Sequence, residues 1–231
     1  MHCLDNPVWS SLTTRHSHLA LGDEYGKRYP REYSPLAGMG EINDKAFAAL
    51  AKECSESDYL GLCFSGDVSV PANWKIRAQF PVLQMICEKL LPSSEISYEI
   101  LQVSDVPQMK ALVKLTEPGP FSDRTIEFGR FIGIKDGDAL VAMAGERMKV
   151  SDSDKEYDEV SGVCTHPDYR GRGYAKALTY SVSKNIAESG RIPILHVRAD
   201  NTAAIHTYEA LGFSKRREFT FFVVSLVRDS M

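Results

Sequence analysis

Apolar positions recur along this chain with two periods, and their order predicts the fold. In the first ninety residues, Phe47, Leu50, Ala51 and Cys54 share one face of a predicted helix over 44–54. A strand is predicted over 59–64. Residues 74–87 are β-prone at first and ambiguous later. Residues 1–40 carry Pro7, Pro30 and Pro35, which break any long element. His16 and His18 alternate about Ser17, as on one face of a solvated edge strand.

A break is predicted at Leu91-Pro92-Ser93-Ser94, dividing the chain into 1–92 and 93–231. Beyond it, 96–103 alternates as a strand, and Ser104 or Asp105 can cap a helix over 106–115. Strands follow at 128–134 and 139–148, joined by a turn at Lys135-Asp136-Gly137-Asp138. A strand over 157–165 then leads through Pro167 into a helix whose Ala175, Leu178, Val182 and Ile186 lie on one face. A buried strand at 192–197, a helix capped by Asn201 and ended at Gly212, and strand material over 213–227 complete the order. The class is α/β, of the α+β type, with a mixed and mostly antiparallel sheet.

Composition narrows the field. The 231 residues carry an ordinary apolar share, so a packed core is expected. A net charge of −4 argues against a general nucleic-acid binder. Five scattered cysteines with no Cys-x-x-Cys pair point to reduced thiols in a cytoplasm, without a disulfide framework or metal site. No cationic, apolar export signal opens the chain, and its apolar runs are too short to span a bilayer.

The chemistry gathers between Glu159 and Lys176, which reads EVSGVCTHPDYRGRGYAK. Gly171 and Gly173 let a ligand approach the backbone closely. The helix that follows presents unpaired N–H groups and a partial positive charge, which suits an anion such as a pyrophosphate. Arg170, Arg172 and Lys176 add formal charge there. Lys176 stands where a dinucleotide loop has its third glycine, and the Gly-Lys-Ser/Thr ending of a nucleotide triphosphate loop is missing.

The pattern Arg170-x-x-Gly173-x-Ala175, between strand and helix, resembles the acyl-CoA loop of the GCN5-related N-acetyltransferase (GNAT) superfamily. A second block, with Asn201, Ala204, Tyr208, Gly212 and Phe213 in order, resembles that superfamily's other signature. The two cover 159–213, and a looser likeness reaches back to about residue 95. The resemblance implies a sheet that splays at its fourth strand, acetyl-CoA as co-substrate in the split, and the last strand beside the fifth. Residues 1–92 would be an added α/β half, with a decayed second copy of the fold as one reading of it.

It further implies that Val163, Cys164 and Thr165 bond the pantetheine arm. Arg170, Gly171, Arg172, Gly173, Tyr174 and Ala175 would hold the pyrophosphate, with Asn201 contacting the arm. Glu159, eleven positions before Arg170, is the candidate general base, acting directly or through a water. It also reads as an exposed carboxylate in an acidic run. Tyr208 is the candidate acid at the leaving sulfur, because a phenol keeps its proton at neutral pH. His166 is a turn residue or an alternative base. Cys164 reads as a small buried hydrophobe. Residues 116–121, Arg124, Glu146 and Arg147 would line the acceptor side or form ordinary surface. The expected activity is acetyl transfer to a primary amine of a small molecule, amino acid or peptide, by a monomer or homodimer without nucleic-acid or membrane partners. The alternative is a CoA-binding regulatory module without catalysis.

Overall fold

The computed structural model describes residues 2–55, 58–66 and 68–227. The first segment forms α1 (Pro7–Thr13), opened by a proline that needs no partner for its missing N–H. Three short strands follow, β1 (Leu21–Gly22), β2 (Gly26–Arg28) and β3 (Ala37–Met39), which pair with one another. His16 and His18 lie on no strand, because Ser17–Leu19 is a 3-10 turn. His16 is buried rather than solvated, stacked on Phe128 at 5.1 Å with Nδ1 2.9 Å from the Tyr29 hydroxyl.

Helix α2 (Asp44–Lys52) starts where the Asn43 side chain accepts from the Ala46 N–H at 3.0 Å. Then come β4 (Leu60–Phe64), β5 (Trp74–Ile86), β6 (Glu99–Ile100) and α3 (Val106–Thr116). Glu117 ends α3 in the left-handed region, at φ 49. β7 (Phe131–Asp136) and β8 (Ala139–Ser151) form a hairpin about Gly137, whose φ of 58 favours glycine. The remainder is β9 (Glu156–Thr165), α4 (Tyr174–Glu188), β10 (Ile192–Arg198), α5 (Thr202–Glu209) and β11 (Ser214–Leu226).

Eight strands make one sheet in the order β4-β11-β5-β10-β9-β8-β7-β6. Every pairing is antiparallel except that of β9 with β10. That pairing covers only Ile192–Ile194 against Tyr157–Glu159, after which the two strands part. The expected split is therefore present. The last strand, β11, does not lie beside β10, the fifth strand of the predicted order, because β5 from the first half runs between β10 and β11. β5 is able to take this central place because Val82–Met85 is a continuous buried run, as a strand covered on both faces requires.

Strand alternation assigns the faces. Val160, Leu195 and Val197 pack beneath α4 and α5 with Leu178, Val182 and Tyr208. Met148, Tyr157 and Ile194 face the other way, against Leu4, Val8, Leu12 and Tyr29 of the first half. α3 lies on that second side, over Phe131, Met143 and Cys164.

Candidate active site

The split between β9 and β10 opens a cavity of about 770 Å³ that reaches both sides of the sheet. At one end lies the turn before α4. Gly171 and Gly173 have φ of 76 and 79, a conformation that side chains with a Cβ adopt at a cost. A Cβ built on either would meet no protein atom within 4 Å, so the space beside both glycines is open. The N–H groups from Gly171 to Lys176 make no hydrogen bond with the described residues. A run of free amides at a helix start, with Arg170 and Lys176 lining the same cavity, fits a diphosphate.

Along the floor, β9 carries a bulge opposite Met143–Gly145, with Gly162 at φ 63. The bulge turns Val163 toward the α4 core and Cys164 toward the α3 core. Past Glu159 this strand has no β10 partner, so its edge is free to bond an extended amide chain. Thr165 lines the groove, and its buried hydroxyl makes no hydrogen bond with the described residues. Amides, an unmatched hydroxyl and an open strand edge together suit the pantetheine of CoA. Burial pushes the Cys164 thiol up to about 12, which keeps it protonated and unreactive at neutral pH.

Tyr208 projects from α5 into the cavity. It is 8 % exposed, and its hydroxyl makes no hydrogen bond with the described residues. Burial pushes the phenol up to about 12, so it stands as a donor at neutral pH. Asn201 also lines the cavity, while its side chain accepts from the Ala204 N–H at 3.2 Å to cap α5.

On the opposite side of the sheet, Glu159 is fully buried and lines the cavity. Its carboxylate accepts from Arg147 Nε and Nη2 at 2.8 Å each, from His196 Nδ1 at 2.8 Å and from the Met148 N–H at 3.3 Å. Burial alone would raise its pKa. The Arg147 charge and its paired hydrogen bonds, with His196, override burial and hold the carboxyl well below the usual range. Glu159 is thus an interior carboxylate rather than an exposed one, and taking up a proton would require one of its donors to move away.

Of the other expected residues, Arg170, Gly171, Gly173, Tyr174 and Ala175 line the cavity, as do Val163, Cys164 and Thr165. Arg172 does not; its guanidinium lies over the Tyr169 ring at 4.7 Å. Residues 116–120 and Arg147 reach the cavity, but Phe121, Arg124 and Glu146 do not. Phe121 packs on Phe131, Arg124 pairs with Glu127, and Glu146 accepts from Asn185. His166 caps its own turn by accepting from the Asp168 N–H.

The sequence reading missed His196 and the first half's share of the cavity wall, Val8, Leu36, Cys63, Phe80 and Val82. His196 carried a signal, as the one polar position between Leu195 and Val197 on a buried strand. The wall carried none, because its residues meet only through long-range pairing.

Residues 131–222 match the family profile described as FR47-like protein. A solved protein from Novosphingobium aromaticivorans, assigned to the GNAT family of acetyltransferases, is 37 % identical with a TM-score of 0.90. The likeness covers 99 % of this chain and 100 % of that one. The chain belongs to the GNAT family.

A GCN5-related N-acetyltransferase from Kribbella flavida shares the fold at 15 % identity and a TM-score of 0.63, over 96 % of this chain and 94 % of its own. The mycothiol acetyltransferase of Gordonia bronchialis is 44 % identical over 63 residues, 27 % of this chain and 20 % of that protein. The chain thus spans about a fifth of that relative's length. No helix of the described residues is long and apolar enough to cross a membrane.

Proposed function

We propose that this GNAT chain moves an acetyl group from acetyl-CoA to a primary amine of a small molecule, amino acid or peptide, by direct attack in a ternary complex. One observation carries the reading. A single cavity joins the free amides of Gly171–Lys176 on one side of the sheet to Glu159 and His196 on the other, through the split between β9 and β10. A thioester threaded through that split presents its carbonyl to an amine arriving from the far side.

The amine nitrogen bonds to the carbonyl carbon, the carbon–sulfur bond breaks, and the amine gives up a proton. Tyr208, which lines the same cavity, would donate its hydroxyl proton to the departing sulfur and regain one from solvent. Such proton transfer is worth ~10²–10⁴-fold. Val163–Thr165 would hold the pantetheine, Arg170, Gly171, Gly173, Tyr174 and Ala175 the diphosphate and Asn201 the arm. Glu159 serves the acceptor end as an ionised anchor that fixes Arg147 and His196. The amine proton then leaves to water, unless a donor to Glu159 moves aside and lets the carboxylate take it. Residues 1–92 supply one wall of the acceptor end and 93–231 the CoA groove.

The test pairs calorimetry of CoA binding with free-thiol release from acetyl-CoA in the presence of amines. Binding with amine-dependent thiol release supports the reading. Binding without it points to the regulatory module. An absence of binding removes both.

A further inference from the structure

We infer that the acceptor end is built for an α-amino acid with an apolar or aromatic side chain, its carboxylate received by Arg147. This rests on the acyl-transfer reading and narrows its substrate.

The polar groups at that end are nearly all engaged. His196 donates from Nδ1 to Glu159, and its Nε2 lies 3.1 Å from the Gln84 amide nitrogen. Gln84 is itself fixed, donating to the Leu4 carbonyl at 3.0 Å and accepting from Arg216 at 2.9 Å. Its nitrogen therefore faces His196, which makes Nε2 the acceptor and leaves neither ring nitrogen for a ligand. Glu159 is surrounded by four donors.

Arg147 is the exception. Its Nε and Nη2 go to Glu159, while Nη1 makes no hydrogen bond with the described residues. The side chain is 12 % exposed and lines the cavity. A guanidinium with unused N–H groups, screened from bulk water, calls for an oxygen acceptor, and a carboxylate is the strongest one.

The acidic residues lining the cavity are Glu159 and Glu117. The first is saturated, and the second is exposed beside α3. Among the described residues no free anion stands deep in the site to receive a second ammonium, which disfavours polyamines and lysine-like acceptors. The walls there are Val8, Leu36, Val82, Phe80 and Phe221, the last two stacked at 5.3 Å. They fit an apolar or aromatic side chain.

The experiment measures kcat/KM by thiol release from acetyl-CoA with L-phenylalanine, L-leucine, glycine, phenethylamine, L-lysine and spermidine. L-Phenylalanine and L-leucine should lead. Phenethylamine, which lacks only the carboxylate, should be at least about tenfold poorer, because it leaves Nη1 unpaired in a closed site. Arg147→Lys keeps the charge that Glu159 needs and should narrow the preference for phenylalanine over phenethylamine. Phe221→Ala leaves the ion pair untouched and should narrow the preference for phenylalanine over glycine. Phenethylamine equal to phenylalanine, or spermidine as the best acceptor, would overturn this assignment while leaving acyl transfer standing. Binding of acetyl-CoA with no turnover of any of the six amines would overturn both.

Discussion

Replacing Glu159 by Gln tests what the buried carboxylate does. The amide has one oxygen where the carboxylate has two, so its NH₂ must meet a donor from Arg147, His196 or the Met148 N–H. It also leaves the Arg147 charge, 12 % exposed, without its counter-charge. Breaking a buried pair from one side costs about 3–5 kcal/mol. At ~2–4 °C per kcal/mol for a chain of this size, Glu159→Gln should melt roughly 6–20 °C lower in scanning calorimetry at pH 7. The sign with pH follows from the depressed folded-state pKa. The carboxylate's stabilisation is full above the unfolded-state pKa and is lost as pH falls through the folded one. The gap between the two proteins should therefore hold at neutral pH and shrink only below the ordinary carboxylate range. A gap under about 2 °C at pH 7, or one that widens on acidification, would refute the reasoning. An acid limb in the wild-type pH–rate profile that vanishes in Glu159→Gln would instead make Glu159 the proton acceptor.

Other outcomes follow from the same geometry. Gly173→Val forces a β-branched residue to φ near 79 and fills the open side of the turn, so CoA affinity by calorimetry should fall at least tenfold, and unchanged affinity would remove the turn from the site. Tyr208→Phe should lower kcat by ~10²-fold or more with CoA affinity retained; equal turnover would release Tyr208 from any part in proton transfer. Cys164→Ala should keep most of its turnover with no acetyl-enzyme in mass spectrometry, since burial holds that thiol protonated. Replacing both Arg147 and Glu159 by Met and Leu should cost less stability than the two single losses combined, and a strictly additive double variant would show that the pair is not coupled.

The half of the cavity proposed for CoA was legible because it is built from backbone. Two glycines at positive φ and a helix start are local features, and their sequence is local too. The half proposed for the acceptor was not. Phe80 and Phe221 stand opposite each other on β5 and β11, and no short-range pattern records a pairing across so much chain. β5 itself was ambiguous for a physical reason. Its Pro81, which offers no N–H and reads as a strand breaker, is the first position beyond the pairing with β10, whose register ends at Val82. Glu159 was placed on the right strand, but its partners come from β8 and β10, so burial and saturation could not be foreseen. The 3-10 turn at Ser17–Leu19 defeated the alternating histidines, since two polar rings separated by one residue say nothing of what packs on them.

The place of β5 has a consequence for synthesis. It leaves the ribosome long before β11, yet Ile86 pairs with Ser214 and Trp74 with Leu226. Until the final stretch emerges, the flank of β5 that β11 covers stays open, with the core run Val82–Met85 at one end, a template for pairing with a neighbouring polysome product. Cutting the gene near codon 92 would therefore yield two insoluble fragments rather than two domains, and co-expressing the pieces is the condition under which solubility should return.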